Sequence, residues 1–155
     1  MSAIQKRLSN MEIRFDESEV VVVDLGSGFI KAGYSGNDVP HVVIPTVVSE
    51  KMTDTAADES GPGNEGKSNK VVSRHVGNEA FMTRDDHELF FPIQRGIIHW
   101  DHMTTLLEHV FDHELGINPR SCTVLMTDSL CSSKKDKQDL AALMFDHFRF
   151  KAFAL

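Results

Sequence analysis

Val20-Val21-Val22-Val23-Asp24-Leu25-Gly26-Ser27-Gly28-Phe29-Ile30-Lys31-Ala32-Gly33-Tyr34 joins two apolar strands through a turn shaped for an anion. Four consecutive valines are β-branched and continuously apolar, the composition of a strand buried on both faces. The glycines then allow a tight return into a second strand. At such a turn Gly26 and Gly28 let the backbone come close to an anion, so that successive N–H groups and the Ser27 hydroxyl hold phosphate oxygens. Asp24, at the strand end, suits the waters around a magnesium ion, and Lys31, on the returning strand, suits phosphate charge. The competing reading is a structural hairpin, since Asp and Gly are common turn residues. A Walker loop is excluded: there is no Gly-x-x-x-x-Gly-Lys-Ser/Thr, and the segment returns as a strand instead of opening a helix.

The flanking residues extend the pattern. Asp-x-Gly-Ser-Gly-x-x-Lys-Ala-Gly-Tyr-x-Gly over 24–36, then Asp38-Val39-Pro40 and Ile44-Pro45-Thr46, resembles the amino-terminal phosphate loop of actin and the actin-related proteins. Val76-Gly77-Asn78-Glu79-Ala80, Phe91-Pro92-Ile93-Gln94-Arg95-Gly96-Ile97-Ile98, Trp100-Asp101-His102-Met103, Val124-Leu125-Met126-Thr127-Asp128 and Leu143-Met144-Phe145-Asp146-His147-Phe148 resemble later actin segments in the same order. The loop alone is equally similar to that of heat-shock chaperones and sugar kinases of the same ATPase fold; the downstream segments favour actin. The resemblance covers about residues 20–155. It implies a partial actin-like (ribonuclease H-like) ATPase domain, an α/β fold with a mixed sheet covered by helices. It also implies ATP or ADP with Mg²⁺ as cofactor, held by Gly26, Ser27, Gly28, Phe29 and Lys31, with Asp24 organising the magnesium through water. Actin or actin-related subunits are the implied partners, and the cytoplasm and cytoskeleton, or alternatively the nucleus, the implied address.

The resemblance also implies what these residues do not contain. Actin-family proteins are more than twice as long, with a second phosphate loop, an adenosine pocket and a second lobe. By the resemblance Leu155 falls just before the glutamine that positions the attacking water. Phosphoryl transfer needs positioning and charge stabilisation from several directions, so ATP hydrolysis by this chain alone is not expected and no catalytic residue is assigned. Departures from the family pattern point to an actin-related chain instead of an actin proper. Leu25 stands where conventional actins carry a polar amide, Arg95 where they carry a modified histidine, and Leu130-Cys131-Ser132-Ser133 where they carry prolines. Three functional readings follow: an actin-related polypeptide with the first phosphate loop of an ATP site, a non-catalytic interaction subunit of a cytoskeletal or chromatin-associated assembly, and a truncated product without function.

Composition is that of an ordinary globular chain: 155 residues, 41% hydrophobic, 25% charged. A net charge of −7 opposes broad attraction to nucleic acid or anionic membrane. No run approaches the ~18 apolar residues of a membrane span, and residues 1–19 lack the apolar core of a signal peptide, which together read as a soluble intracellular protein. Cys122 and Cys131 flank an apparent strand whose extended length puts them on the order of 20 Å apart, beyond disulfide reach, so both read as free thiols.

Residues 1–19 read as a polar amino-terminal extension ahead of a domain over 20–155. Strands are expected at Val20–Asp24, Phe29–Tyr34, His41–Ile44, Thr123–Thr127 and Phe150–Leu155. Residues 49–70 have almost no large apolar side chain and read as a mobile, solvated loop. In the family the corresponding loop is shorter and more apolar and docks on the next filament subunit, so the polar version opposes an actin-like polymer. Met103, Leu106, Leu107, Val110 and Phe111 keep helical spacing after Asp101, the expected N-cap, with an end near Gly116. A second helix is expected from Ser133 to Phe148, with Leu140, Leu143, Met144 and Phe148 on one face. His109 and His113 have a zinc-compatible spacing, with His102 two turns earlier, but lack a His-Glu-x-x-His order and read as a solvated face. Asp85, Asp86 and Glu88 read as an exposed acidic loop. Thr127, Asp128 and Ser129 follow a buried strand, where an open α/β sheet carries functional side chains.

Overall fold

β1 (Val20–Leu25) and β2 (Phe29–Tyr34) are the two arms of the hairpin over residues 20–34, paired antiparallel with Asp24 opposite Lys31. The computed structural model describes residues 20–55, 69–128 and 132–155. β3 (Val42–Pro45) adds to β2 antiparallel, whereas β9 (Thr123–Met126) joins β1 in parallel and β10 (Ala152–Ala154) joins β9 in parallel. The resulting sheet has the order β10-β9-β1-β2-β3. Meander strands can close through short turns, but each parallel pair needs a crossover. Helix α2 (Trp100–Glu108) lies ahead of β9, and α3 (Lys134–Ala142) joins β9 to β10. The expected α/β layering with a mixed sheet is therefore the observed architecture.

Burial alternates along the strands instead of being continuous. Val21 and Val23 are fully buried, while Val20 and Val22 are only partly so. Their buried partners are Ile30, Ala32, Val42, Ile44, Val124 and Met126, and against these pack Met103, Leu106 and Leu107 of α2 with Leu140 of α3 in one core. The helices thus cover one face of the sheet. On the other, Phe29 is 53%, Val43 51% and Leu125 41% exposed, so the reading of β1 as buried on both faces is corrected. The four valines follow from β-branching on a half-covered sheet, which the same letters serve equally well.

α2 begins after His99, which occupies the cap without a side-chain bond; Asp101, the expected N-cap, lies instead within the first turn. There its carboxylate complements the helix dipole. Both long helices change pitch at their ends. α2 continues as a π-helical turn over His109–Glu114 and α3 as another over Leu143–His147. Phe111 of the first meets Phe148 and Phe150, each with ring centroids 5.0 Å away and nearly perpendicular, the edge-to-face geometry aromatic rings prefer. Chain reversal beyond the first helix uses Gly116 at φ 60°, near the expected end. α3 starts at a capping box: Ser133 accepts from the Asp136 N–H while the Asp136 carboxylate accepts from the Ser133 N–H.

The loop expected over 49–70 is corrected at both ends. Val48–Thr55 is strand β4 and Asn69–Val76 is strand β5, antiparallel with Val48 opposite Val76 and Thr55 opposite Asn69. Residues 56–68 lie outside the described residues. β6 (Glu88–Phe90) pairs with the other edge of β4. This ribbon gave no apolar alternation because its 51–53 and 72–74 stretches are exposed on both sides; its base at Val48 and Val76 packs into the core, and cross-strand bonds and ion pairs join the rest. Arg74 of β5 donates to the Glu50 carboxylate of β4 at 2.5 Å, and Lys51 pairs with Asp86 at 2.9 Å. Glu50 is also 3.2 Å from His102 Nε2, and the His102 ring stacks on Phe90 at 4.4 Å. His102 therefore belongs to the contact between α2 and the small sheet, not to a solvated face.

Short elements complete the chain. α1 (Asn78–Met82) follows β5. β7 (Ile93–Gln94) and β8 (Ile97–Ile98) form a tight hairpin whose central residues Arg95 and Gly96 both have positive φ, 52° and 79°. Among the described residues no helix is long and apolar enough to cross a membrane.

Candidate phosphate-binding turn

The turn between β1 and β2 is pinned from behind by one residue. Thr46, 1% exposed, donates its hydroxyl to the Gly26 carbonyl at 2.6 Å and its backbone N–H to the Gly28 carbonyl at 3.0 Å. The two glycines differ in what they require. A Cβ on Gly26 would stand 2.5 Å from the Phe29 carbonyl oxygen, so only glycine fits; around Gly28 a Cβ would meet nothing within 4 Å. Neither has the positive φ of a left-handed turn. Gly26 is therefore required by the close approach of backbone to backbone, and Gly28 leaves open space on the solvent side. Ser27, Gly28 and Phe29 are all exposed, and Ser27 stands at the mouth of a cleft.

Asp24 and Lys31, the two charged residues of the motif, meet across the hairpin. Lys31 Nζ lies 3.6 Å from Asp24 Oδ2, both side chains about half exposed. Such an exposed pair contributes only about 0–1 kcal/mol, so separating the two costs little. The other oxygen of Asp24 accepts from the Thr127 hydroxyl at 2.7 Å, and Thr127 Oγ1 in turn accepts from the Leu25 N–H at 3.3 Å. Thr127 is held by its own N–H on the Val23 carbonyl at 3.0 Å. The end of β9 thereby fixes the orientation of the carboxylate at the end of β1.

Two cavities flank the turn. One of about 240 Å³ is lined by Leu25, Ser27, Ile93, Ile98, Thr127 and Leu140 among others. The second, about 360 Å³, lies over Asp24, Lys31, Gly33 and the 35–40 loop. Ser27 thus opens to one side of the turn and the Asp24–Lys31 pair to the other, with Thr127 touching both arrangements. Asp128, at the cleft, is paired with Lys137 of α3; Ser129 lies outside the described residues. Phe29 brings only its backbone to the turn, since its half-exposed side chain stands on the open face of the sheet. The donor set suits a phosphate chain with a hydrated cation that reaches both sides of the turn. It combines a carboxylate with one anchored oxygen, an ammonium group and an exposed hydroxyl beside exposed backbone.

The other constellations resolve differently. His109 Nε2 is 3.2 Å from Glu114 Oε1 and its ring is 5.4 Å from His113; among the described residues no three His, Cys, Asp or Glu side chains converge as metal ligands. Glu88 opens β6, so the acidic run is only partly a loop. Within it, bonds from Lys51 and then His87 hold the Asp86 carboxyl down at about 2, from an ordinary 3.8. His87 Nε2 is buried with no partner among the described residues. Cys122 is buried and free, and Cys131 lies outside the described residues. Thr46 escaped sequence reasoning as a site residue because its bonds run to carbonyls about twenty positions earlier; the only available signal was its place in the Ile44-Pro45-Thr46 match.

Comparison with known proteins bears on the family. The actin family model matches residues 15–155. Among curated proteins, actin-related protein 2 of Arabidopsis thaliana is 32% identical over 136 residues, which is 87% of this chain and 33% of the relative. The chain thus spans about a third of the length of that relative, corresponding to its amino-terminal portion. A mixed sheet closed by an Asp-x-Gly-Ser-Gly turn, together with a family match over nearly its whole length, makes this chain a member of the actin family.

Proposed function

We propose that the Gly26–Phe29 turn holds phosphates of ATP or ADP as the first phosphate loop of an actin-related nucleotide site, in a protein with a cytoskeletal role. The observation that carries this reading is the fixed turn itself, with both carbonyls bound behind it by Thr46 and an exposed hydroxyl and backbone in front. Lys31, only weakly paired with Asp24, would neutralise phosphate charge, and Asp24, steadied by Thr127, would hold magnesium through water. Magnesium supplies charge neutralisation between phosphates. Hydrolysis belongs to a more complete site, because one turn stabilises transferring phosphate from one direction only. The test is calorimetric titration of Mg-ATP into the 155-residue chain with Lys31→Ala as control. Saturable binding lost in the control supports the reading; no binding by a demonstrably folded chain sinks it.

A second reading is favoured by a separate observation, the open sheet face carrying Phe29, Val43 and Leu125. In it the chain is a non-catalytic interaction subunit whose partners are actin or actin-related polypeptides, in a cytoskeletal or chromatin-associated assembly. Binding of a purified actin-family partner, equal with and without ATP, would favour this reading over the first.

A further inference from the structure

We infer that Thr46 is the positioning residue that aims the anion-binding N–H groups of Ser27 and Phe29. The inference rests on the phosphate-turn reading above. A trans peptide unit is planar, with its N–H directed opposite to its carbonyl. The carbonyl of Gly26 shares a peptide plane with the N–H of Ser27, and that of Gly28 shares one with the N–H of Phe29. Thr46 holds both carbonyls, the first through its hydroxyl at 2.6 Å and the second through its own N–H at 3.0 Å. Fixing each carbonyl on the protein side therefore turns each N–H toward the open side, as an oxyanion or phosphate cradle requires.

Thr46 is itself immobilised. It is almost fully buried, its β-branch restricts χ1, and its neighbour Val47 is bound on both sides: the Val47 N–H donates to Pro45 and the Val47 carbonyl accepts from Gly77 at 2.9 Å. The hydroxyl bond is thus made in a dry, rigid setting at the junction of the two sheets. No other described side chain bonds these two carbonyls. The division of labour between hydroxyl and N–H also makes the role separable, since a side-chain change removes the hold on the Ser27 peptide and leaves the hold on the Phe29 peptide.

Thr46→Val keeps the volume, the β-branch and the backbone N–H but deletes the hydroxyl; Thr46→Ser restores it. In ¹⁵N relaxation of the nucleotide-free chain, Thr46→Val should increase fast motion at the Ser27 amide more than at Phe29, and Thr46→Ser should return it toward wild type. Loss of one such bond corresponds to about a fivefold to tenfold weaker Mg-ATP affinity for the valine variant. A structural role alone would alter melting without this Ser27-selective signature. Unchanged Ser27 relaxation in a folded Thr46→Val chain overturns the inference. So does unchanged Mg-ATP affinity in Thr46→Val where Lys31→Ala weakens binding, an outcome that leaves the proposed function standing. If the wild-type chain binds no Mg-ATP, the proposed function fails, and the relaxation comparison alone decides whether Thr46 sets the Ser27 peptide.

Discussion

Gly26→Ala and Gly28→Ala should change stability in opposite directions, although the sequence presents the two glycines as equivalent flanks of Ser27. An alanine methyl at Gly26 would lie 2.5 Å from the Phe29 carbonyl oxygen, and contacts under 3.0 Å are essentially never tolerated. At least half an ångström must then be found by moving backbone, and both ends resist. The Gly26 carbonyl is held by Thr46 and Phe29 is paired to Pro45 in the sheet. Overpacking of this kind costs about 1–3 kcal/mol. At Gly28 the methyl meets nothing within 4 Å, and φ is outside the left-handed range. The dominant effect there is the reduced entropy of the unfolded chain, a gain of about 0.4–1 kcal/mol. Urea unfolding should therefore place the midpoint of Gly26→Ala below wild type and that of Gly28→Ala at or above it, a gap of roughly 1.5–4 kcal/mol. Gly28→Ala should nevertheless weaken Mg-ATP binding, because its methyl occupies the side from which an anion approaches. Equal midpoints for the two variants would refute the steric argument, and a stabilised Gly28→Ala with undiminished affinity would refute the phosphate role of that backbone.

Phe111→Ala, which empties the aromatic contact between the first π-helical turn and Phe148 and Phe150 beyond the second, should cost about 3–5 kcal/mol in the same urea assay; a loss under 1 kcal/mol would mean the cluster is not a packed centre. Arg95→Asn, at φ 52° in the β7–β8 turn, should raise the melting temperature modestly, because asparagine accepts the left-handed region more readily; a lower melting temperature would show that the arginine side chain makes compensating contacts. Asp86 has a depressed folded pKa, so its contribution to stability is complete above about 3.8 and is lost as pH falls through about 2. Carboxyl ¹³C titration should show this, and Lys51→Met should move the midpoint upward; no movement would remove Lys51 as the principal cause.

The parts legible in the sequence are those in which burial or local geometry repeats. Valines 20–23 and the apolar residues of β9 announced strands through continuous β-branched and apolar composition, though not which face is covered, and the spacing of Met103, Leu106, Leu107, Val110 and Phe111 announced α2 because it puts apolar atoms on one face. The hairpin placed Asp24 opposite Lys31, as their spacing about a short turn requires. β4 and β5 were hidden because only their ends at Val48 and Val76 reach the core, while residues 51–53 and 72–74 are exposed whichever side they face, so no apolar alternation marks them; their register is set by backbone bonds and by pairs such as Arg74 with Glu50. The π-helical ends were hidden because the apolar spacing that marks α2 is complete at Phe111, only three residues into the widened turn. Thr46 and the contact of His102 with Glu50 and Phe90 depend on sheets that meet only after folding. The charged and glycine residues of the candidate site were therefore named by the sequence, and what holds them in place was not.

The most direct test of the phosphate-turn account is a ¹H–¹⁵N NMR titration of the full chain with Mg-ATP, repeated with adenosine. The account predicts saturable shifts centred on the amides of Ser27, Gly28, Phe29 and Lys31 with Mg-ATP, and none there with adenosine, which has no phosphates. A folded chain whose spectrum leaves those four amides unmoved at millimolar Mg-ATP, or moves them equally with adenosine, would contradict it.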